Sequence, residues 1–302
     1  MSIIVPTDPG GGIDAQARLI EPLLEEKLRE ISGSDVEVVV QNMPGGAQLI
    51  GLEHVWRADP DGMTVLYHIT NVMISHQVLG GADVEMREMT PIGRLTLAPT
   101  GLIVRKDLEL PERSLTGLIE RSATQPILIG NVGDPVEIEM VRKLLSDGGL
   151  EFATDVVQLD GTSDLIASLL RSEIEVAKTT SAGAIQLVAE NPELEFLVTL
   201  GCEREEALPE VPSITEEDIP TVADICQSVG QSHRLILGPP GMSEGHAAQL
   251  SQAMEQAVND PAFAEALSAT NFSASWEAPE AITSLLEDLI ATWEENAAAI
   301  TD

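Results

Sequence analysis

The stretch Ser2-Ile3-Ile4-Val5-Pro6-Thr7-Asp8-Pro9-Gly10-Gly11-Gly12-Ile13-Asp14-Ala15-Gln16-Ala17-Arg18-Leu19-Ile20 decides the fold class. Its apolar start, residues 3–6, reads as a short buried strand, and its prolines and three glycines read as a turn. From Ile13 onward, Ala17, Ile20, Leu24, Leu28 and Ile31 recur every three or four residues, the stripe of a helix with one face in a core. Strand, glycine turn and helix in that order open a βαβ unit. The pattern continues along the chain. Short β-branched runs at 36–40, 64–68, 101–105, 127–130, 156–158, 174–179, 195–199 and 234–238 alternate with helical stripes at 49–57, 115–123, 136–147, 163–172, 182–189, 244–259 and 280–300. Apolar strands alternating with helices predict an α/β fold on mainly parallel sheets. Pro22, inside the first stripe, removes a helical hydrogen bond and predicts a kink.

A chain of 302 residues is long enough for two domains or one large one, with a full hydrophobic core. Its 50 Asp+Glu against 16 Lys+Arg leave a formal net charge of −34, so no nucleic-acid partner is expected, phosphate binding needing a basic face. The acids are scattered rather than gathered in a tail. Such a shell repels itself in dilute buffer and is screened in concentrated brine, so the composition predicts a protein suited to high salt. No stretch is apolar for the ~18 residues a membrane span needs. Residues 2–6 are too short for the apolar core of a signal peptide, so no leader is read at this end of the sequence. Cys202 and Cys226 lack metal-site spacing and read either as free thiols or as one disulfide.

Glycine turns at helix starts present free backbone N–H groups and the positive end of the helix dipole, which suits an anion. Gly10, Gly11 and Gly12 form one such turn, and Gly10-x-Gly12-x-x-Ala15 also matches the dinucleotide pattern. An NAD(P)-dependent oxidoreductase is therefore the alternative reading, although the second strand ends in Gln41-Asn42 with no acid for a ribose. Nothing else favours catalysis. The histidines show no ligand spacing, and no nucleophile elbow, zinc-protease motif or phosphate-loop lysine is present, so no enzyme activity, metal or cofactor is expected.

Taken in order, Pro9-Gly10-Gly11-Gly12-x-Asp14-x-x-Ala17-Arg18, Asn42-x-Pro44-Gly45, Pro60-Asp61-Gly62-x-Thr64-Val65-Leu66, Leu208-Pro209-Glu210-Val211-Pro212-Ser213 and Gly238-Pro239-Pro240-Gly241 resemble the tripartite tricarboxylate transporter receptors, the Bug-type extracytoplasmic solute receptors. The likeness is collinear over nearly the whole chain. It implies a two-lobed periplasmic-binding-protein fold of the Venus-flytrap type, with residues 1–100 plus 226–302 in lobe one and 101–225 in lobe two. It further implies closure over a small di- or tricarboxylate or related organic anion, delivery to a membrane permease, an extracytoplasmic location and a monomer. A sensor domain binding the same solute without transport is a further alternative.

Carried over residue by residue, the resemblance implies a ligand site of Gly10, Gly11, Gly12 and Asp14 at the first loop and Ile69, Thr70 and Asn71 after the third strand. In lobe two it adds Asn131, Val132 and Gly133, then Asp160, Gly161 and Thr162, then Thr179 and Thr180. For Asp14, capping the helix and ordering the loop is preferred to touching the ligand. Ala47-Gln48-Leu49 stands where the family continues its second loop with two glycines and a polar residue, so that turn reads as structural. The family's Tyr-Lys-Gly of lobe two is Leu159-Asp160-Gly161 here, and its Trp-x-Gly before the last strand is His233-Arg234-Leu235. Lys178 and Arg234 are scarce cations near strand ends, and a solvent or ion-pair role is preferred for each over contact with a ligand carboxylate.

Overall fold

The computed structural model describes residues 1–81, 83–132, 135–159 and 161–301. The chain divides into two compact units, Met1–Leu97 with His233–Glu294 and residues 98–232 with the chain from Glu295 onward. In the sequence reading the boundaries stood at 100/101 and 225/226.

In the first unit β1 (Ser2–Val5) lies between β2 (Val39–Asn42) and β3 (Thr64–Ile69), parallel to both, with Ile3 opposite Val40 and Val65. Ile3, Ile4 and Val5 are fully buried, as expected of a central strand covered on both faces. β9 (Gln231–Gly238) follows antiparallel to β3, then β4 (Thr90–Arg105), which also carries β10 (Ala274–Glu277) antiparallel. The sheet is thus mixed, because apolarity marks a buried strand without setting its direction. The first helix, α1 (Gly12–Ser32), buries Ile13, Ala17, Ile20, Leu24 and Leu28, and such side chains contribute roughly 1.5–3 kcal/mol each. It runs unbroken through Pro22, and Gly33, at φ 66°, ends it by donating to the Arg29 carbonyl. The unit is completed by α2 (Leu49–Trp56), α3 (Thr70–Val78), α9 (Glu244–Val258), α10 (Pro261–Ser268) and α11 (Pro279–Thr301), whose last residues belong to the other unit.

In the second unit β5 (Ile127–Asn131) runs parallel to β6 (Thr154–Gln158) and β7 (Val176–Thr180), while β4 pairs antiparallel with β7 and with β8 (Leu194–Thr199). Around this sheet stand α4 (Leu115–Ser122), α5 (Val136–Asp147), α6 (Thr162–Leu170), α7 (Ser181–Glu190) and α8 (Val222–Ser228). Ile103, Leu165, Leu169, Ile174, Ala177 and Leu194 form a shared core. Cys202 and Cys226 are joined in a disulfide.

The differences from the sequence reading have local causes. β4 begins at Thr90, well before residue 101, because Pro91, Gly93 and Pro99 disguise its first half. Gly93 is required there, since a Cβ would sit 2.2 Å from the Trp276 ring. α3, absent from the helical stripes read in the sequence, follows β3 directly, and its residues 70–75 are all buried, so it carries no amphipathic stripe. β2 starts at Val39, three residues late. Among the described residues no helix is long and apolar enough to cross a membrane.

After β2, Gly45, Gly46, Ala47 and Gln48 hold φ values of 111°, 57°, 52° and 78°, four left-handed residues in succession. Achiral glycine tolerates this, whereas L-residues such as Ala47 and Gln48 are strained by about 1–2 kcal/mol each. Gln48→Gly should therefore raise stability by about 1 kcal/mol, read as a higher denaturation midpoint, and an unchanged or lower midpoint would show that the turn stores no strain.

Candidate functional site

β2, β1 and β3 are parallel, so α2, α1 and α3 all begin at one edge of the first unit's sheet, where orphan N–H groups and helix dipoles collect. Gly10 needs its glycine, with φ 89°. Gly11 is the extended residue before α1, and Gly12 begins the helix. Asp14 lies in the first turn and accepts from the Gly10 N–H at 2.8 Å and from Arg18 Nε at 3.1 Å. Arg18 reaches on to Asn42, which donates to the Thr7 carbonyl, so one polar chain stiffens the loop. Burial disfavours the Asp14 charge, but hydrogen bonds from Arg18, Gly10 and Asn42 outweigh it and hold the carboxyl below its usual range. Asp14 thus orders the loop, but the helix cap itself is Gly11, with no side-chain cap bond. The Gly10 N–H is committed to Asp14, which leaves Gly11 and Gly12 as the loop's open donors.

At the neighbouring strand, Ile69 ends β3 and caps α3, Thr70 donates to the His233 carbonyl at 3.1 Å, and Asn71 is buried in the first turn. Behind them lies a layer the sequence reading did not identify. Gln16, 1% exposed, accepts through Oε1 from the Tyr67 hydroxyl at 2.6 Å and the Thr96 hydroxyl at 3.3 Å, and its Nε2 has no partner. Burial pushes Tyr67 up to about 12. Arg234, 4% exposed, stacks its guanidinium 4.0 Å from the centroid of the Phe272 ring, while its Nε and Nη1 have no partner. The expected solvent or ion-pair role for Arg234 is therefore corrected. Every other arginine in the chain has a carboxylate partner.

In the second unit β5, β6 and β7 are parallel, and α5, α6 and α7 likewise start at one edge. Gly161 caps α6 and Thr162 begins it; the Thr162 and Thr179 hydroxyls meet at 3.2 Å. Thr180 caps α7, and a Cβ on Gly183 would come within 3.2 Å of its hydroxyl. Asn131 is fully buried and engages Gln158 and Lys178 through its side chain, while Val132 packs against the core. Gly133 and Asp160 lie outside the described residues. Lys178 is paired with Glu137 of α5, an ion pair as expected. Among the described residues no His, Cys, Asp and Glu cluster could hold a metal ion.

A sequence model of the tripartite tricarboxylate transporter family receptor matches residues 22–299. A UPF0065 protein of Agrobacterium vitis, from the TAR-I ttuE-ttuC' intergenic region, is 26% identical over 264 residues, covering 86% of this chain and 72% of that one. Protein BugT of Bordetella pertussis is 21% identical over 300 residues, 97% of this chain and 86% of that one. Among solved structures, a TctC solute binding protein from Polaromonas superposes with a TM-score of 0.79 at 21% identity, covering 99% and 97% of the two chains. MatC from Rhodopseudomonas palustris with bound malate gives 0.75 at 20% identity, covering 99% and 98%. These superpositions show the α/β fold of the periplasmic binding proteins, and the match across residues 22–299 shows that the chain belongs to the tripartite tricarboxylate transporter receptor family.

Proposed function

We propose that this receptor captures a small organic di- or tricarboxylate outside the cytoplasmic membrane and delivers it to the permease of a tripartite transporter. The observation that carries the reading is the turn at Gly10, Gly11 and Gly12, held rigid by Asp14, Arg18 and Asn42 at the start of α1. Neutral amides aimed along a helix dipole stabilise a carboxylate without a surface cation. The helix starts at Gly161 and Thr180, with the hydroxyls of Thr162 and Thr179, offer the second unit's own donors. MatC, the malate-bound protein of this fold, makes malate the first probe. The Cys202–Cys226 disulfide supports an oxidising compartment.

Gly11→Val tests the reading. Gly11 is extended, at φ −75°, and a Cβ there meets only the Asp8 carbonyl at 3.8 Å, so a side chain can be attached without a backbone clash. It would, however, cover the amides of the turn. Calorimetric titration should show affinity falling about tenfold or more, about 1.4 kcal/mol, with a protein that still melts as a folded chain. Equal affinities for the variant and the parent chain would rule the turn out.

A further inference from the structure

The geometry points to a buried anion subsite in the first unit, in which Arg234 and Gln16 together take one small monovalent anionic group. A buried charge without a partner is costly even after relaxation, and folded proteins pair such charges. This chain has 50 acids with which to do so, and among the described residues one pairs with every arginine except Arg234, among the most buried of them. The Phe272 ring faces one side of the guanidinium plane and leaves the in-plane donors Nε and Nη1 unsatisfied.

The second donor is oriented for the same purpose. Tyr67 and Thr96 both donate to Gln16 Oε1, which fixes the amide so that its Nε2 donates and finds no acceptor. Tyr67 pairs with Ile236 and Ile69 with Arg234, so Tyr67 and Arg234 are diagonal neighbours on one face of the sheet, about 7–8 Å apart along the backbone. Gln16 and Arg234 thus bring unsatisfied donors to the same buried layer, at the sheet edge where α1 and α3 begin. His68 and His233, both neutral, bring no compensating charge. A guanidinium fork with an amide N–H beside it suits a carboxylate group or a halide. The carboxylate form rests on the receptor reading above; the halide form stands without it.

Arg234→Met keeps an unbranched apolar stem and removes the charge. Titrations of succinate and glutarate, each against its monoacid butanoate or pentanoate, are run in a halide-free sodium sulfate background, whose anion is divalent. Line widths of 35Cl are measured as chloride is added to the ligand-free protein. If a ligand carboxylate fills the subsite, Arg234→Met weakens the diacids by about tenfold or more and leaves the monoacids within about twofold. If a free halide fills it, the parent chain broadens the chloride line and the variant does not. Should Arg234→Met fail to melt as a folded protein, Gln16→Met, which leaves the guanidinium in place, is expected to weaken the same titration severalfold. Affinities and line widths unchanged in the folded variants would overturn the subsite. A parent chain that binds no carboxylate but broadens the chloride line would refute the receptor reading and keep the subsite.

Discussion

In dilute buffer the protein is expected to melt far below its midpoint in molar NaCl. The formal charge of −34 is spread over both units, and the surface arginines that could offset it are already committed to ion pairs. At about 0.01 M salt the Debye length is about 30 Å, so acids across a whole unit repel one another; at about 1 M it is about 3 Å and only immediate neighbours interact. Salt also weakens the surface ion pairs, with the opposite sign, but each of these contributes only about 0–1 kcal/mol, so collective repulsion decides the direction. A net gain of about 5 kcal/mol would move the midpoint by roughly 10–20 °C for a chain of this size. Scanning calorimetry from low to molar NaCl checks it, and a midpoint as high in dilute buffer as in brine would refute the high-salt reading of the composition.

Mild acid should be the second weakness, in a window set by two buried histidines. Burial pushes His68 and His233 down to about 3, with Arg94 adding to the effect at His233, and both are neutral in the fold. His233 Nδ1 lies 3.4 Å from Arg94 Nη1, an arrangement that a protonated ring would oppose. Unfolded histidines titrate near 6.5, so between about 6.5 and 3 the unfolded chain binds protons that the fold excludes, and stability falls as the pH falls. From pH 7 to pH 5 the loss is about 2 kcal/mol for each histidine. Ordinary carboxylates take up protons only below about pH 5, so relief of acid repulsion does not mask this window. Denaturant midpoints in molar salt should drop accordingly. His68→Leu should remove about half of the slope, and should not weaken the fold at pH 7, because both ring nitrogens of His68 are buried without partners. A flat profile from pH 7 to pH 5 would contradict the assignment.

How far the sequence reached can be judged at particular residues. The strand–glycine–helix unit from Ile3 to Leu28 is local: period, turn chemistry and burial are written in adjacent residues, and the structure places them as read. The Gly10–Gly12 turn was legible as a helix start for the same reason, though the capture of the Gly10 N–H by Asp14 was not. α3 was hidden because a helix buried on every side has no stripe, and the first half of β4 because its prolines and glycine imitate a loop.

By itself the sequence determined the α/β class, the acid shell and the position of the first amide turn, since these depend on composition and on neighbours a few residues apart. Only the tertiary structure decided that Cys202 meets Cys226, that Lys178 finds Glu137, and that Arg234 finds no acid among the described residues. The reason is physical: a charge is paired or stranded, and a thiol bonded or free, according to what long-range strand pairing brings within a few ångströms. Arg234 lies opposite Ile69 across a sequence gap that no local pattern spans.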